Sequence, residues 1–132
     1  VSPRHFKELL EIEAQAFPKS QYDLDTFWSL YFRYPNTFLV AESDRIDGYI
    51  IFGPDGHIIS MAVTPERRRR GIGTRLINES AEHCRGKTLR LEVRVSNIGA
   101  QRFYQSLGFV SAGKTKGYYQ DGEDGLVMER PP

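Results

Sequence analysis

The chain has 132 residues, enough for one packed core in a single domain over 1–132 and too few for a separate substrate domain. Its 18 basic and 17 acidic residues leave a formal charge of +1, which argues against a protein built chiefly to hold nucleic acid or an anionic membrane. A lone cysteine, Cys84, excludes an internal disulfide and carries no metal-site spacing. With no apolar run of membrane-spanning length and no secretory segment in Val1 to Leu10, the sequence reads as soluble and cytoplasmic.

From Pro3 to Phe17, Phe6, Leu9, Leu10, Ile12, Glu13 and Ala16 recur at near-helical intervals, and Pro18 ends the pattern. A second helical stretch, Asp23 to Tyr34, carries Phe27, Trp28, Tyr31 and Phe32 as an aromatic stripe, which reads as core or as the lip of a groove. Thr37 to Ala41 and Ile46 to Phe52 flank the turn Ser43-Asp44-Arg45 and form a hairpin. After Gly53-Pro54-Asp55-Gly56, strict alternation would put His57, Ile59, Met61 and Val63 on one strand face and Ile58, Ser60 and Ala62 on the other.

Next comes Arg67-Arg68-Arg69-Arg70-Gly71-Ile72-Gly73-Thr74, between that strand and a helical pattern in which Leu76, Ile77, Ser80, Ala81 and Cys84 keep step up to Gly86. Glycines at this spacing allow a tight turn into a helix start, where unpaired N–H groups and the positive end of the helix dipole favour a phosphate; the arginines add charge-assisted hydrogen bonds. A nucleoside-triphosphate loop would need Lys and then Ser or Thr after Gly73, where Thr74-Arg75 stands. A dinucleotide loop would need a third glycine at Leu76. Taken alone, the arginine run is equally well a solvated basic face.

Leu89, Leu91, Val93 and Val95 alternate with Arg90, Glu92 and Arg94, a clear strand that turns Glu92 away from its aliphatic side. The last helix starts near Asn97 as its cap, carries Ala100, Phe103, Tyr104 and Leu107 on one side and stops at Gly108. Two terminal strands, Phe109 to Lys116 and Leu126 to Glu129, enclose the turn-rich Asp121-Gly122-Glu123-Asp124-Gly125.

Met61-Ala62-Val63-Thr64-Pro65, the glycine loop, Leu91-Glu92-Val93-Arg94-Val95-Ser96-Asn97, Tyr104-Gln105-Ser106-Leu107-Gly108-Phe109 and Gly117-Tyr118-Tyr119 through Glu123-Asp124 fall in one order. Together they resemble the GNAT acetyltransferases, and within them the amino-terminal protein acetyltransferases of the RimI type, archaeal members above all. The resemblance implies an α/β (α+β) fold, a mixed and mostly antiparallel sheet flanked by helices, with an acetyl-CoA cleft between two central strands. The family's first strand would precede or overlap Val1 to Pro3.

By the same resemblance, Met61, Ala62 and Val63 contact the acetyl and pantetheine portions of acetyl-CoA through their backbone. Arg68, Arg69, Arg70, Gly71, Ile72, Gly73 and Thr74 hold the pyrophosphate, Asn97 touches the cofactor arm and Tyr104 lies near the sulfur. The peptide end enters between the loop Phe17-Pro18-Lys19-Ser20-Gln21-Tyr22 and the hairpin near the last strands, so Tyr22, Tyr118 and Tyr119 are the substrate-binding candidates. The implied substrate is a peptide or protein amino terminus, with ribosomal proteins and nascent chains as candidates, and the default assembly is a monomer. Lys19 stands where some eukaryotic-type relatives have a glutamate, so the first residue of the substrate is left open.

Acyl transfer to an amine needs somewhere for the amine proton to go and a proton for the departing thiolate. Glu92 is a reasonable base, directly or through a water, and His57 is a second candidate. Tyr104 can donate to sulfur, since a phenol with a pKa of about 10 lies near a thiol leaving group. The competing readings pair Glu92 with Arg90 or Arg94, satisfy His57 at a turn edge through backbone, and make Tyr104 plain core. As for function, the alternatives are acetylation of lysine side chains or a small amine, a non-catalytic acyl-CoA sensor, and a nucleic-acid patch at Arg67 to Arg70.

Overall fold

The computed structural model describes residues 2–17, 23–64 and 71–132. After a single 3-10 turn at Pro3–His5, α1 runs over Phe6–Ala16 and α2 over Leu24–Arg33. Asp23 caps α2, its carboxylate accepting from the backbone N–H of Thr26 at 2.8 Å and from its hydroxyl at 2.7 Å. Three strands follow, β1 over Phe38–Glu42, β2 over Ile46–Phe52 and β3 over Ile58–Val63. Then come α3 over Ile72–His83, β4 over Leu89–Arg94, α4 over Ile98–Ser106, β5 over Val110–Thr115 and β6 over Gly125–Arg130.

The strands form two antiparallel three-stranded sheets, ordered β1-β2-β3 and β4-β6-β5. What joins them is one parallel bridge between His57 and Arg90, where the Arg90 N–H donates to the Gly56 carbonyl at 2.9 Å. Gly56 sits at φ +96°, and a Cβ there would run into the carbonyl oxygen of Thr88, so this junction requires a glycine. Beyond it β3 and β4 belong to separate ladders, so the two central strands part at the place where the resemblance expects the cleft.

The helices divide the core in two. Phe6, Leu9 and Ile12 of α1 and Phe27 of α2 pack with Phe38, Ile46, Tyr49, Ile51 and Ala62 on one side of the first sheet. Leu76, Ile77 and Cys84 from the α3 region and Tyr104 of α4 pack on the other side with Ile50, Phe52 and Ile58, continuing onto Leu89, Leu91, Val93 and Met128 of the second sheet. The alternation read in β4 holds, with Leu89, Leu91 and Val93 buried and Arg90 exposed, because only one face of that strand meets helices.

Strict alternation fails in β3. Ile58 packs in the same core as Met61 and Val63, while Ile59 packs with Ala62 on the opposite side. The cause is a bulge: Ile51 opposes Ser60 but Phe52 opposes Ile58, and the extra residue reverses every side chain before it. The aromatic stripe of α2 is also divided. Phe27 is fully buried, Trp28 and Tyr31 are half-buried, and Phe32 is 72% exposed while stacking on Trp28 at a centroid distance of 5.7 Å.

Candidate active site

The cleft begins where the two sheets meet, and the first polar pair lies there. His57 Nε2 is 2.8 Å from Glu92 Oε2, with side chains 24% and 12% exposed, so the pair is largely shielded from bulk water yet reachable. The turn-edge reading of His57 describes only its main chain, whose N–H donates to Asp55 Oδ1 at 3.2 Å. Of the two arginines set against Glu92 in the sequence, Arg90 lies at 3.9 Å and Arg94 turns elsewhere. With Nε2–H donated to the carboxylate, the opposite ring nitrogen keeps a lone pair able to take a proton.

Met61, Ala62 and Val63 lie in β3 opposite Ile50, Tyr49 and Gly48, on the strand that borders the cleft. On the face of the first sheet, α3 begins after Gly71, which adopts a left-handed conformation at φ +77° and gives no side-chain cap. Among the described residues no side chain caps the leading N–H groups of Ile72, Gly73 and Thr74, and a helix start of this kind fits a diphosphate. Gly73 does different work from that expected of a phosphate-loop glycine. It is buried, and a Cβ on it would come within 2.9 Å of the Phe103 ring, so it sets the approach of α3 to α4. Arg68, Arg69 and Arg70 lie outside the described residues, as does Tyr22.

Asn97 caps α4, its side-chain oxygen accepting from the Ala100 N–H at 3.1 Å. That commits the oxygen, and leaves the amide NH2 as the group able to reach a cofactor arm. Tyr104 is both core and site. It is 9% exposed and edge-to-face with Phe103 and Phe109. Burial raises its pKa well above 10, so the phenol holds its proton and is not matched to a thiol.

Tyr118 and Tyr119 lie on the β5–β6 connection, their rings edge-to-face at 5.0 Å. Burial raises the pKa of both, that of Tyr119 to about 12, and the Glu92 carboxylate adds a lesser part of each shift. His57 and Glu92 are thus brought together where the sheets meet, while Tyr118 and Tyr119 sit on the connection that leads into β6, the strand paired with β4. Arg94 was legible only as a rival partner for Glu92. It donates instead to Asp121 at 2.9 Å and Glu123 at 2.8 Å and lies 4.1 Å beneath the Tyr119 ring. The acidic turn in the sequence was the signal that a cation had to meet it. Cys84 is buried with Sγ 3.6 Å from the Gly53 carbonyl, and burial raises its thiol pKa, so it is packing rather than a nucleophile. Among the described residues, no cluster of metal-ligating side chains occurs and no helix is long and apolar enough to cross a membrane.

The pattern that defines the Acetyltransferase (GNAT) family matches residues 6–109, and the chain belongs to that family. An uncharacterized N-acetyltransferase of Methanocaldococcus jannaschii is 43% identical over 129 residues, covering 89% of this chain and 80% of that protein. The [ribosomal protein bS18]-alanine N-acetyltransferase of Salmonella typhimurium is 34% identical over 131 residues, covering 92% of this chain and 86% of that one. Among solved structures, Ard1 from Thermoplasma volcanium superposes with a TM-score of 0.87 at 29% identity, covering 99% of this chain and 93% of its own.

Proposed function

We propose that this protein transfers acetyl from acetyl-CoA to the α-amino group of a peptide or protein amino terminus, by direct attack in a ternary complex. The observation that carries the reading is the His57–Glu92 hydrogen bond at the point where β3 and β4 part. The relatives named for amino-terminal acetylation support it.

Acetyl-CoA brings the activated thioester; the chain brings the rest. Met61, Ala62 and Val63 line the strand edge for the acetyl and pantetheine portions, and the α3 start at Gly71 to Thr74, with Arg68, Arg69 and Arg70, receives the diphosphate. Glu92 with His57 removes the amine proton. An α-amine has a reference pKa near 8, about two units below lysine, so a modest base suffices at neutral pH. Tyr104 donates a hydrogen bond to the departing sulfur, and Tyr22, Tyr118 and Tyr119 hold the peptide end.

The test is mass spectrometry of a panel of peptides, each with a free amino terminus and an internal lysine, after incubation with acetyl-CoA. Acetyl on the α-amine is the expected result. Acetyl confined to lysine, or transfer only to a small amine, overturns the reading.

A further inference from the structure

The β5–β6 connection is made of exposed, turn-forming residues and would have little reason to hold one shape by itself. Yet it carries Tyr118 and Tyr119, the candidate peptide contacts, and leads into β6, the strand paired with that of Glu92. Its own turns are closed by the Tyr119 N–H on the Glu123 carbonyl at 3.1 Å and the Gly122 N–H on the Tyr119 carbonyl at 2.9 Å, and what ties it to the rest of the fold comes from the last residue of β4 and the two that follow. Arg94 Nη1 donates to both oxygens of Asp121, at 3.0 and 2.9 Å, and to Glu123 Oε1 at 2.8 Å. The other oxygen of Glu123 accepts from the Ser96 N–H at 3.0 Å, and the Val95 N–H donates to the Asp124 carbonyl at 3.2 Å. Above this, the Tyr119 ring lies over the guanidinium at 4.1 Å, and Asp124 accepts from the Gly117 N–H at 2.9 Å.

The Arg94 side chain is only 13% exposed and Glu123 only 17%, so this charge pair is shielded far more than a surface ion pair. A planar guanidinium suits the arrangement, since it can meet carboxylates along its edge while offering its face to an aromatic ring. The α4 side chain of Gln101 holds the strand end still from behind, its amide donating to the carbonyls of Arg94 and Val95 at 3.2 and 3.0 Å.

We propose that Arg94 is a positioning residue for the acceptor peptide, clasping the β5–β6 connection so that Tyr118 and Tyr119 are held in place to meet it. This rests on the amino-terminal acetylation reading, because the tyrosines are peptide contacts only there. Arg94 touches no reacting atom; it acts through Tyr119 and the acidic turn.

The experiment compares wild type with Arg94→Met and Arg94→Lys in two ways. Amide hydrogen exchange without substrate reads the N–H groups of Gly117, Tyr119 and Gly122. Steady-state kinetics with a peptide that wild type acetylates reads KM for peptide, KM for acetyl-CoA and kcat. Expected are faster exchange at those amides in Arg94→Met and a peptide KM raised about tenfold, with acetyl-CoA KM and kcat within twofold; Arg94→Lys, which keeps charge without the fork, falls between. The double variant Asp121→Asn/Glu123→Gln should reproduce Arg94→Met. Unchanged exchange overturns the clasp. Faster exchange with an unchanged peptide KM, or a parallel loss of peptide and acetyl-CoA affinity with a lowered Tm, overturns the positioning role. A wild-type protein that acetylates no α-amine overturns the proposed function itself, and the exchange result, read without substrate, separates that failure from failure of the clasp.

Discussion

Glu92 stands on the polar side of a strand whose other side is core, and this one alternation brings it to His57 rather than into the packing. Replacing it with glutamine keeps the shape and removes the proton acceptor. Glu92→Gln should lower kcat on the order of a hundredfold while leaving acetyl-CoA affinity within about twofold, as measured by initial rates and by direct binding. Tyr104→Phe should leave the core intact, because the ring contacts with Phe103 and Phe109 survive, and should reduce kcat alone. If both variants turn over like wild type, the catalytic assignment is wrong. Glu92, Tyr104 and His57 were all legible in the sequence because each belongs to a local pattern or to a motif in the order that carries the resemblance. The direct hydrogen bond between Glu92 and His57 was not, since the two are 35 residues apart and the bridge beside β3 and β4 brings them together. Nor was the buried contact of Glu13 with the Tyr49 hydroxyl, which also reaches Ser60 at 2.9 Å. It explains how a carboxyl that is 1% exposed occupies a helix face otherwise read as apolar.

At the scale of the elements, α3 and α4 show how a glycine motif can serve packing as well as a ligand. Gly71 supplies the left-handed entry and Gly73 the room for Phe103. Gly73→Ala would gain helix propensity but lose that room, and overpacking of this kind costs about 1–3 kcal/mol. Chemical denaturation should show a lower midpoint at unchanged slope. A compensating Phe103→Leu in the same chain should recover much of the loss, and a Gly73→Ala protein as stable as wild type would show that the ring simply moves aside. Sequence periodicity located these helices and β4 well, because each presents a single buried face. It misread β3, where the bulge opposite Ile51 and Phe52 inverts the pattern, because register is decided by the partner strand and not by the strand's own residues.

At the scale of the molecule, charge governs how the fold should respond to pH. Hydrogen bonds from Ser96 first and Arg94 next hold Glu123 below its ordinary 4.5, and bonds from Thr26 hold Asp23 below its ordinary 3.8. A depressed carboxyl pKa contributes stability that is present above the unfolded value and is lost as pH falls through the folded one. Burial lifts Tyr119 from 10.0 to about 12 and also raises Tyr118. A raised phenol pKa contributes stability that is full below pH 10 and is lost as pH climbs toward about 12. Thermal unfolding followed across pH should therefore show a plateau from about pH 5 to 10 with a fall on each side, the alkaline fall being reduced in Tyr119→Phe. An alkaline limb unchanged by that substitution would remove Tyr119 from the account.

Gly56, where the two sheets touch, acts as the pivot of a wedge. Because each strand residue adds roughly 3.3 Å, a small displacement at Gly56 is magnified by leverage at the far ends of β3 and β4, where Val63 and Arg94 lie. The gauge of the whole opening is thus set at the one place along it where there is no side chain to change.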